Sequence, residues 1–349
     1  MKKTLLCMLT FALLTWLIPV GGLLLAEAPL PGAPLTGPAA TPAPDEPSGN
    51  GEPVSPSPAA TATPTPAADT LRVLDEASGE ILTVSARDYR IGAAAAELPA
   101  DWPDEAIKAQ MVAAWSYALF QQQTARAAGQ AHDLSANPAR RQGFMTREVL
   151  ESYWGVDFEA NYQRLAALAD QVEGWVVQWE GAAAACCYHA SSCGATEASQ
   201  NVWTEALPYL QGVDSPWDTA ADGWEVTVTY TVQQMTDALQ LNFADRGLDL
   251  SGDPSGWFGA PTLTAAGYVA SQPVAGAELS GIELRGALGL RSAAFTVQYA
   301  DRTFSVTTHG YGHGVGLSQW GARGMALEGK SCADILAWYY PGTQLVQES

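Results

Sequence analysis

Apolar and polar residues recur with a helical period over residues 103–127 of the chain. The apolar stripe runs from Ile107 to Ala118, and Pro103 stands where a helix commonly begins. The pattern predicts a helix from about Pro103 to about Ala127. A shorter, alanine-rich helix is predicted just before it, ending at Glu97, because Leu98-Pro99 disfavours helical backbone.

Strand-like patterns flank these helices on both sides. LRVLDEASGEILTVSA predicts two strands around Ser78-Gly79, and Glu180-Gly181 predicts a hairpin turn between Trp175–Trp179 and a strand over 182–188. Further on, GWEVTVTYTV and SAAFTVQYADRTFSVTTHGYG are strand-like, and QQMTDALQLNFAD is helical. No second linker and no repeat interrupts residues 71–349, so the sequence predicts one mixed α+β domain there.

The first 70 residues have a different character. Met1-Lys2-Lys3 precedes an uncharged apolar run from Thr4 to Ala26, which indicates export. The run is long enough to span a bilayer with the lysines inside, so we expect residues 1–27 to be a membrane anchor with the domain outside the cytoplasm. The alternative is a cleaved signal peptide and a secreted protein. Residues 28–70 hold twelve of the 22 prolines and predict an extended, disordered linker.

Charge and cysteine content exclude some functions. The net charge of −20 and the pI of about 4.4 disfavour nucleic-acid binding, because such a surface repels phosphates. Five cysteines, two of them adjacent at Cys186 and Cys187, do not make a disulfide framework.

Glu97 is the first candidate catalytic residue. It ends the apolar run from Ile91 to Ala96, where partial burial raises the pKa of a carboxyl group. A carboxylic acid with a raised pKa suits general acid catalysis near neutral pH. The alternative is a solvated glutamate at a helix end, and composition alone favours that alternative.

The segment HGYGHGVGLSQWGA, from His309 to Ala322, raises three possibilities. His309 and His313 have the spacing of metal ligands on a helix, but the intervening glycines disfavour a helix. A phosphate-binding loop lacks the GK[ST] or GxGxxG pattern. What remains is a groove that a ligand approaches closely, or else a structural glycine-rich turn. A groove would use the aromatic rings of Tyr311 and Trp320 and the polar groups of His313, Ser318 and Gln319.

A metal site elsewhere is a weaker hypothesis. His189 and Cys193, with Cys186 or Cys187 nearby, carry the ligand types of zinc, although their spacing fits no standard zinc finger. The alternative is that these thiols are buried and act as small apolar side chains.

Five ordered blocks of the sequence resemble the SpoIID family, which includes stage II sporulation protein D and the amidase enhancers. They are AAAAELPADWPDEAIKAQMVAAWSYAL, YHASSCGATEASQNVW, YLQGVDSPWD, LRGALGLRSAAFTV, and HGYGHGVGLSQWGARGMA with the following SCADILAWYYPGTQL. Together they cover about residues 71–345, nearly the whole predicted domain.

The resemblance implies a membrane-anchored lytic transglycosylase that cuts peptide-free glycan strands of peptidoglycan, in spore formers during engulfment. It places the catalytic glutamate at Glu97 and needs no cofactor, although some members hold zinc near the block that contains His189. We expect the remaining candidates to line the substrate groove: His189, Ser191, Ser192, Tyr311, His313, Ser318 and Gln319. The implied partners are glycan strands, a cell-wall amidase and other membrane-anchored engulfment proteins.

Two other functions stay open at this point. The chain could be a wall-binding module that recruits or stimulates an amidase without catalysis of its own, or a zinc amidase. An anionic glycan also requires local positive charge on an acidic protein, for which Lys108, Arg285, Arg291 and Arg323 are candidates.

Overall fold

A computed structural model describes residues 70–137, 143–203 and 205–348. The predicted anchor, residues 1–27, and nearly all of the predicted linker, residues 28–70, lie outside the described residues. No helix within the described ranges is both long enough and apolar enough to cross a membrane.

The described chain mixes helices and short strands, which confirms the predicted α+β class. Its α-helices are α1 (Ala86–Glu97), α2 (Asp104–Ala127), α3 (Arg147–Trp154), α4 (Phe158–Gln171), α5 (Val232–Phe243), α6 (Gly281–Leu288), α7 (Gln319–Leu327) and α8 (Cys332–Tyr339). Its strands are β1 (Thr70–Asp75), β2 (Ile81–Ser85), β3 (Leu134–Ala136), β4 (Trp175–Trp179), β5 (Ala182–Ala183), β6 (Tyr188–His189), β7 (Glu225–Thr231), β8 (Thr262–Leu263), β9 (Val269–Val274), β10 (Ala277–Leu279), β11 (Phe295–Ala300), β12 (Thr303–His309), β13 (Leu317–Ser318) and β14 (Gln344–Gln347).

Helix α2 is the centre of the larger hydrophobic core. Its apolar stripe, which includes Ile107 and Met111, is fully buried and packs against α1, α4, α7 and α8. The helix begins one residue after Pro103, and the acidic side chains of its first turn complement the positive end of the helix dipole. Both helices predicted from this part of the sequence are confirmed.

A second core lies under the sheet β11-β12-β7. The antiparallel pairing of β12 with both neighbours turns one face of the sheet toward α5 and α6. Phe304 and Val306 point into this core, as their period-two spacing requires. The strands and the helix predicted for residues 223–245 and 292–312 are confirmed within a few residues.

One predicted strand is wrong in its extent. After β4 the partner strand β5 ends at Ala183, rather than continuing to Tyr188. The reason is a pair of tight turns, in which Cys186 N–H donates to the Ala184 carbonyl and Cys187 N–H to the Ala185 carbonyl. The turned chain then forms the separate short strand β6, which pairs in parallel with β13.

The glycine-rich loop between β12 and β13 fits tightly against the chain around β6. Gly310, Gly312, Gly314 and Gly316 all have positive φ angles, of 75°, 115°, 87° and 73°. A Cβ atom at any of the four would also collide with a neighbour, such as the Cys187 carbonyl oxygen at Gly316. The loop therefore needs glycine both for its backbone conformation and for its close packing.

We expect Gly316→Ala to lower the free energy of unfolding by at least about 3 kcal/mol, because left-handed strain adds to the collision with Cys187. Gly329→Ala is the matched control. Gly329 also has a positive φ, of 84°, but nothing lies within 4 Å of its added Cβ atom. Its cost should therefore be only about 1–2 kcal/mol. Chemical denaturation of both variants measures the difference, and equal losses would contradict the packing argument.

Candidate active site

Glu97 is the last residue of α1 and is half-buried. The alanine-rich helix packs its small side chains, Ala93–Ala96, closely into the core. The Glu97 carboxyl group that follows them is therefore partly shielded from water. Burial raises the pKa of Glu97 to about 7, against the opposing effect of a hydrogen bond from Gln319. The carboxyl group is therefore partly protonated at neutral pH.

Gln319 is the nearest functional partner of Glu97. Its Nε2 donates to Glu97 Oε2 at 3.1 Å, across 222 residues of sequence. Gln319 is itself buried and is the first residue of α7. The structure therefore brings together the catalytic candidate of one sequence block and a groove candidate of another.

Two tyrosines, the half-buried Tyr188 and the buried Tyr89, are close enough to Glu97 to respond to its charge. Burial raises the pKa of Tyr188 well above its ordinary value, and the charge of Glu97 raises it further. Tyr89 is affected in the same way, with burial as the largest cause and a smaller contribution from Glu97. Both phenols stay neutral at physiological pH, so the wall of the site near Glu97 carries no second charge from them.

Asp218 connects the segments that carry the site. This fully buried carboxylate accepts hydrogen bonds from the Ser192 backbone N–H at 2.9 Å, from the Ser192 hydroxyl, and from the Ser318 hydroxyl at 2.5 Å. Burial raises the pKa of Asp218, and these hydrogen bonds oppose the rise. The hydroxyls of Ser192 and Ser318, expected in the substrate groove, are thus bound to a buried side chain.

Sequence reasoning did not single out Asp218 as a functional residue. The one available signal was its position at the end of the block YLQGVDSPWD. The neighbouring residues form no pattern that indicates a buried carboxylate. Ser318 Oγ also accepts from Gly321 N–H at 3.3 Å and so caps α7. Asp218 therefore fixes the start of the helix that carries Gln319.

The two histidines of the predicted groove lie side by side and are neutral. Their rings are 5.6 Å apart. Burial lowers the pKa of His189 to about 4 and lowers that of His313 well below its ordinary value. His189 Nδ1 lies 3.2 Å from the Val315 carbonyl oxygen, and His313 Nδ1 accepts from Val315 N–H at 3.0 Å. Both rings thus support the glycine-rich loop.

Ser191 and Tyr311 form a backbone bridge between β6 and that loop. Ser191 N–H donates to the Tyr311 carbonyl at 3.0 Å, and Tyr311 N–H donates to the Ser191 carbonyl at 2.7 Å. The Arg291 guanidinium lies over the Tyr311 ring, 4.2 Å from its centroid. Tyr311 and His313 are half-buried, whereas Ser191 is buried.

The zinc candidates are not gathered into a ligand set in the described ranges. No group of three or more His, Cys, Asp or Glu side chains among those residues is placed to hold a metal ion. The thiol of Cys193 instead lies 3.2 Å from the Ala266 carbonyl oxygen, and burial raises its pKa. These residues therefore do not fit a zinc site in this arrangement, and zinc remains only an implication of the resemblance.

A cavity of about 200 Å³ lies on the side of the loop where His313 is found. Glu197, Tyr268 and Arg285 also line it, but neither Glu97 nor Gln319 does. The residues expected in one groove therefore fall into separate groups. Glu97 contacts Gln319, Ser192 and Ser318 meet at Asp218, and His189 and His313 contact each other.

Two tryptophans and an arginine come shortly after Glu97 and Gln319 in the sequence and contact one another. Trp102 and Trp320 pack edge to face with their ring centroids 5.3 Å apart. The Arg323 guanidinium carbon lies 5.1 Å from the Trp320 ring centroid and 5.7 Å from that of Trp102. We call Trp102, Trp320 and Arg323 the indole–arginine cluster. Sequence reasoning named Trp320 and Arg323 but not Trp102.

Comparison with known proteins identifies relatives over most of the chain. A model of the SpoIID family, described as stage II sporulation protein, matches residues 75–179. Stage II sporulation protein D of Bacillus subtilis (strain 168) is 32% identical over 272 residues, which is 77% of this chain and 76% of that protein. The protein of the same name from Bacillus amyloliquefaciens is 33% identical over 261 residues, 74% of this chain and 73% of its own length. An amidase enhancer of B. subtilis (strain 168) is 28% identical over 298 residues, 71% of this chain but 39% of that protein.

The raised pKa of Glu97 predicts a pH-dependent stability. Between about pH 4.5 and 7 the unfolded chain loses the Glu97 proton while the folded chain keeps it, so the folded state loses stability as pH rises through this window. Glu97→Gln removes this loss. We expect the variant to be more stable than the parent above pH 7, by at most about 3 kcal/mol, and to gain little at pH 4.

Urea denaturation at pH 4, 6 and 8 measures this effect. The matched control is Glu80→Gln in the exposed turn between β1 and β2, where a surface substitution should change the free energy of unfolding by less than about 0.5 kcal/mol. If the free energies of unfolding of Glu97→Gln and the parent differ by the same amount at pH 4 and pH 8, the folded protein does not retain the Glu97 proton.

Proposed function

The chain belongs to the SpoIID family, and on that premise we propose that it is a lytic transglycosylase that cleaves peptide-free glycan strands of peptidoglycan. The observation that carries the proposal is the environment of Glu97. Its carboxyl group has a pKa of about 7, and within the described residues only burial and the Gln319 hydrogen bond are identified as shifting it. One partly protonated acid, with no second carboxylate coupled to it, suits a reaction that uses a single group twice.

Glycosidases that use water generally need two carboxyl groups, one as acid and one as base or nucleophile. A lytic transglycosylase replaces the water by a hydroxyl group of the substrate. Its nucleophile is held in the same sugar ring as the reacting carbon, which provides the proximity advantage of an intramolecular reaction. The lone Glu97 favours this chemistry over hydrolysis.

Glu97 alone carries out both proton transfers of the reaction. Glu97 donates its proton to the glycosidic oxygen, the bond from that oxygen to C1 of the muramic acid breaks, and the electron pair leaves with the oxygen. The oxocarbenium-like C1 is attacked by the 6-hydroxyl of the same ring, and the Glu97 carboxylate removes the hydroxyl proton. The products are a 1,6-anhydro-muramic end and a free 4-hydroxyl, and Glu97 regains its proton.

Gln319 orients the acid in this scheme. An amide N–H that donates to Oε2 favours an unprotonated Oε2, so the neutral acid carries its proton on Oε1. Asp218 supports Gln319 indirectly, because it holds Ser318 at the start of α7. We assign Ser192, Ser318 and His189 to positioning the loops, and Tyr311 and His313, which remain partly exposed, to the edge of the groove.

The cellular setting is also proposed. An N-terminal anchor at residues 1–27 and an extended linker at 28–70 would let the domain reach glycan away from the membrane. The substrate must be supplied by an amidase that removes stem peptides. Relatives named stage II sporulation protein D favour a role in sporulation. The proposed step within sporulation is engulfment of the forespore, as the family resemblance implies.

The first test is product analysis by mass spectrometry. The protein is incubated with intact peptidoglycan and with amidase-treated, peptide-free strands. We expect anhydro-muramic ends from the stripped strands, and a loss of at least about 100-fold in rate for Glu97→Gln, because a positioned acid contributes 10²- to 10⁴-fold. Glu80→Gln should retain full activity.

Two results would contradict this proposal. Full activity of Glu97→Gln would remove the assigned acid. Binding to peptidoglycan without cleavage, together with faster turnover by an added amidase, would instead support a recruiting module, the activity suggested by the name of the amidase-enhancer relative.

The pKa of Glu97 also predicts the pH profile of cleavage. The first step needs the protonated acid, so kcat/KM should fall about tenfold per pH unit above pH 7. Initial rates on peptide-free strands between pH 5 and 9 measure this limb. A kcat/KM that rises steadily from pH 7 to 9 would exclude Glu97 as the acid.

A further inference from the structure

We propose that the indole–arginine cluster is a subsite for a sugar ring that carries a carboxylate, namely the muramic acid of the strand. This inference rests on the proposed function and specifies how the same site recognises its substrate. It concerns ligand binding, so it is tested separately from cleavage.

Both tryptophans of the cluster are close in sequence to the two residues that meet at the acid, Glu97 and Gln319. Trp102 ends the short turn that follows Glu97, where its N–H donates to the Pro99 carbonyl at 3.2 Å. Trp320 directly follows Gln319, the residue that contacts Glu97. We place the sugar ring that follows or precedes the cleaved bond against these indoles, because the apolar faces of sugar rings pack well against aromatic side chains.

Arg323 extends the same row. It lies four residues after Gln319 within α7, and side chains at this spacing lie on one face of a helix, about 5–6 Å apart at Cβ. Gln319 therefore contacts Glu97 and lies on the same face of α7 as Arg323. A ring whose C1 is beside Glu97 can place a substituent at Arg323.

The guanidinium of Arg323 is held but not neutralised. It lies against the two indoles, and in the described part of the chain it forms no hydrogen bond and no salt bridge. Its planar set of N–H donors matches a carboxylate, which it can bind through two parallel hydrogen bonds. Packing on the indoles fixes the side chain before the ligand arrives, which lowers the entropy lost on binding.

The other basic candidates near the site have partners of their own. Lys108 forms a salt bridge with Glu105 at 2.5 Å. Arg291 lies on the Tyr311 ring, and the charge of Arg285 contributes to lowering the pKa of His189 and His313. Arg323 is therefore the cation placed to offset the negative charge of a muramic carboxylate on a protein of net charge −20.

The backbone of the cluster is fixed as well. Arg164 Nη2 donates to the Trp102 carbonyl oxygen at 2.7 Å and to Asp104 Oδ1 at 2.5 Å, which ties the turn after Glu97 to α4. Trp320 N–H donates to the Ala190 carbonyl at 3.0 Å. The backbone at both tryptophans is thus held by elements that do not depend on bound substrate.

The test measures binding in the Glu97→Gln variant, so that strands are not cut during titration. The calorimetric probes are peptide-free strands, the same strands with muramic carboxylates converted to amides, and chitin oligosaccharides, which lack the lactyl group. We expect the free-carboxylate strands to bind roughly 10- to 100-fold more tightly than the amidated strands. This preference should shrink as salt increases.

Adding Arg323→Gln should abolish the preference, so that free-carboxylate strands, amidated strands and chitin oligosaccharides lose their differences in affinity that depend on the carboxylate. Arg323→Lys should keep part of the preference, because the charge remains but the paired donors do not. The matched control is Arg302→Gln, at an exposed arginine in the turn between β11 and β12 that forms no salt bridge with the described residues. Thermal unfolding of each variant verifies that it is folded.

Equal binding of free and amidated strands, or a preference that survives Arg323→Gln, overturns the subsite. These results are distinguishable from failure of the proposed reaction. An Arg323-dependent preference in a protein that releases no anhydro-muramic ends supports the subsite and contradicts the transglycosylase. Cleavage of free and amidated strands with equal kcat/KM supports the transglycosylase and contradicts the subsite.

Discussion

The buried carboxylate of Asp218 is the interaction on which the arrangement of the site depends. A fully buried charge is costly unless its hydrogen bonds are satisfied, and here the donors come from the chain around Ser192 and from the start of α7. Three segments that are far apart in sequence must therefore meet at one point. Because Gln319 is the residue after Ser318, this meeting point also determines where the amide reaches Glu97.

Burial keeps most of the ionisable side chains around the site neutral. The histidines, the tyrosines near Glu97 and the thiol of Cys193 are all kept neutral by burial, so ionisable side chains around the loop contribute shape and hydrogen bonds more than charge. The partly protonated Glu97 and the cationic Arg323 remain at the edge that faces solvent. An acidic protein can in this way present a locally favourable surface to an anionic polymer.

The sequence was most informative where one segment determines its own structure. The spacing along α2 and the apolar run before Glu97 were enough to predict two helices and a partly buried carboxyl group. The extent of β5 was mispredicted, since the tight turns after Ala183 leave no periodic pattern. The strands β6 and β13 have two residues each, too few to show a period at all.

Contacts between distant segments were the part that local patterns could not provide. Nothing around Asp218 distinguishes it from a surface aspartate, and only the fold shows that Ser192 and Ser318 share it. Trp102 was missed for the same reason, because a tryptophan in a turn gives no indication of its partner. Glu97 and Gln319 were both named from sequence, but their contact spans 222 residues and appears only in the folded chain.

The crowding of the glycine-rich loop has a consequence for how such a site diverges. Each of the four glycines from Gly310 to Gly316 is closed to any side chain, so substitutions there destabilise the fold whatever they do to recognition. Trp102 and Arg323 lie outside the crowded region and are only partly buried. A change in what the site recognises is therefore easier to make at Trp102 and Arg323 than in the loop.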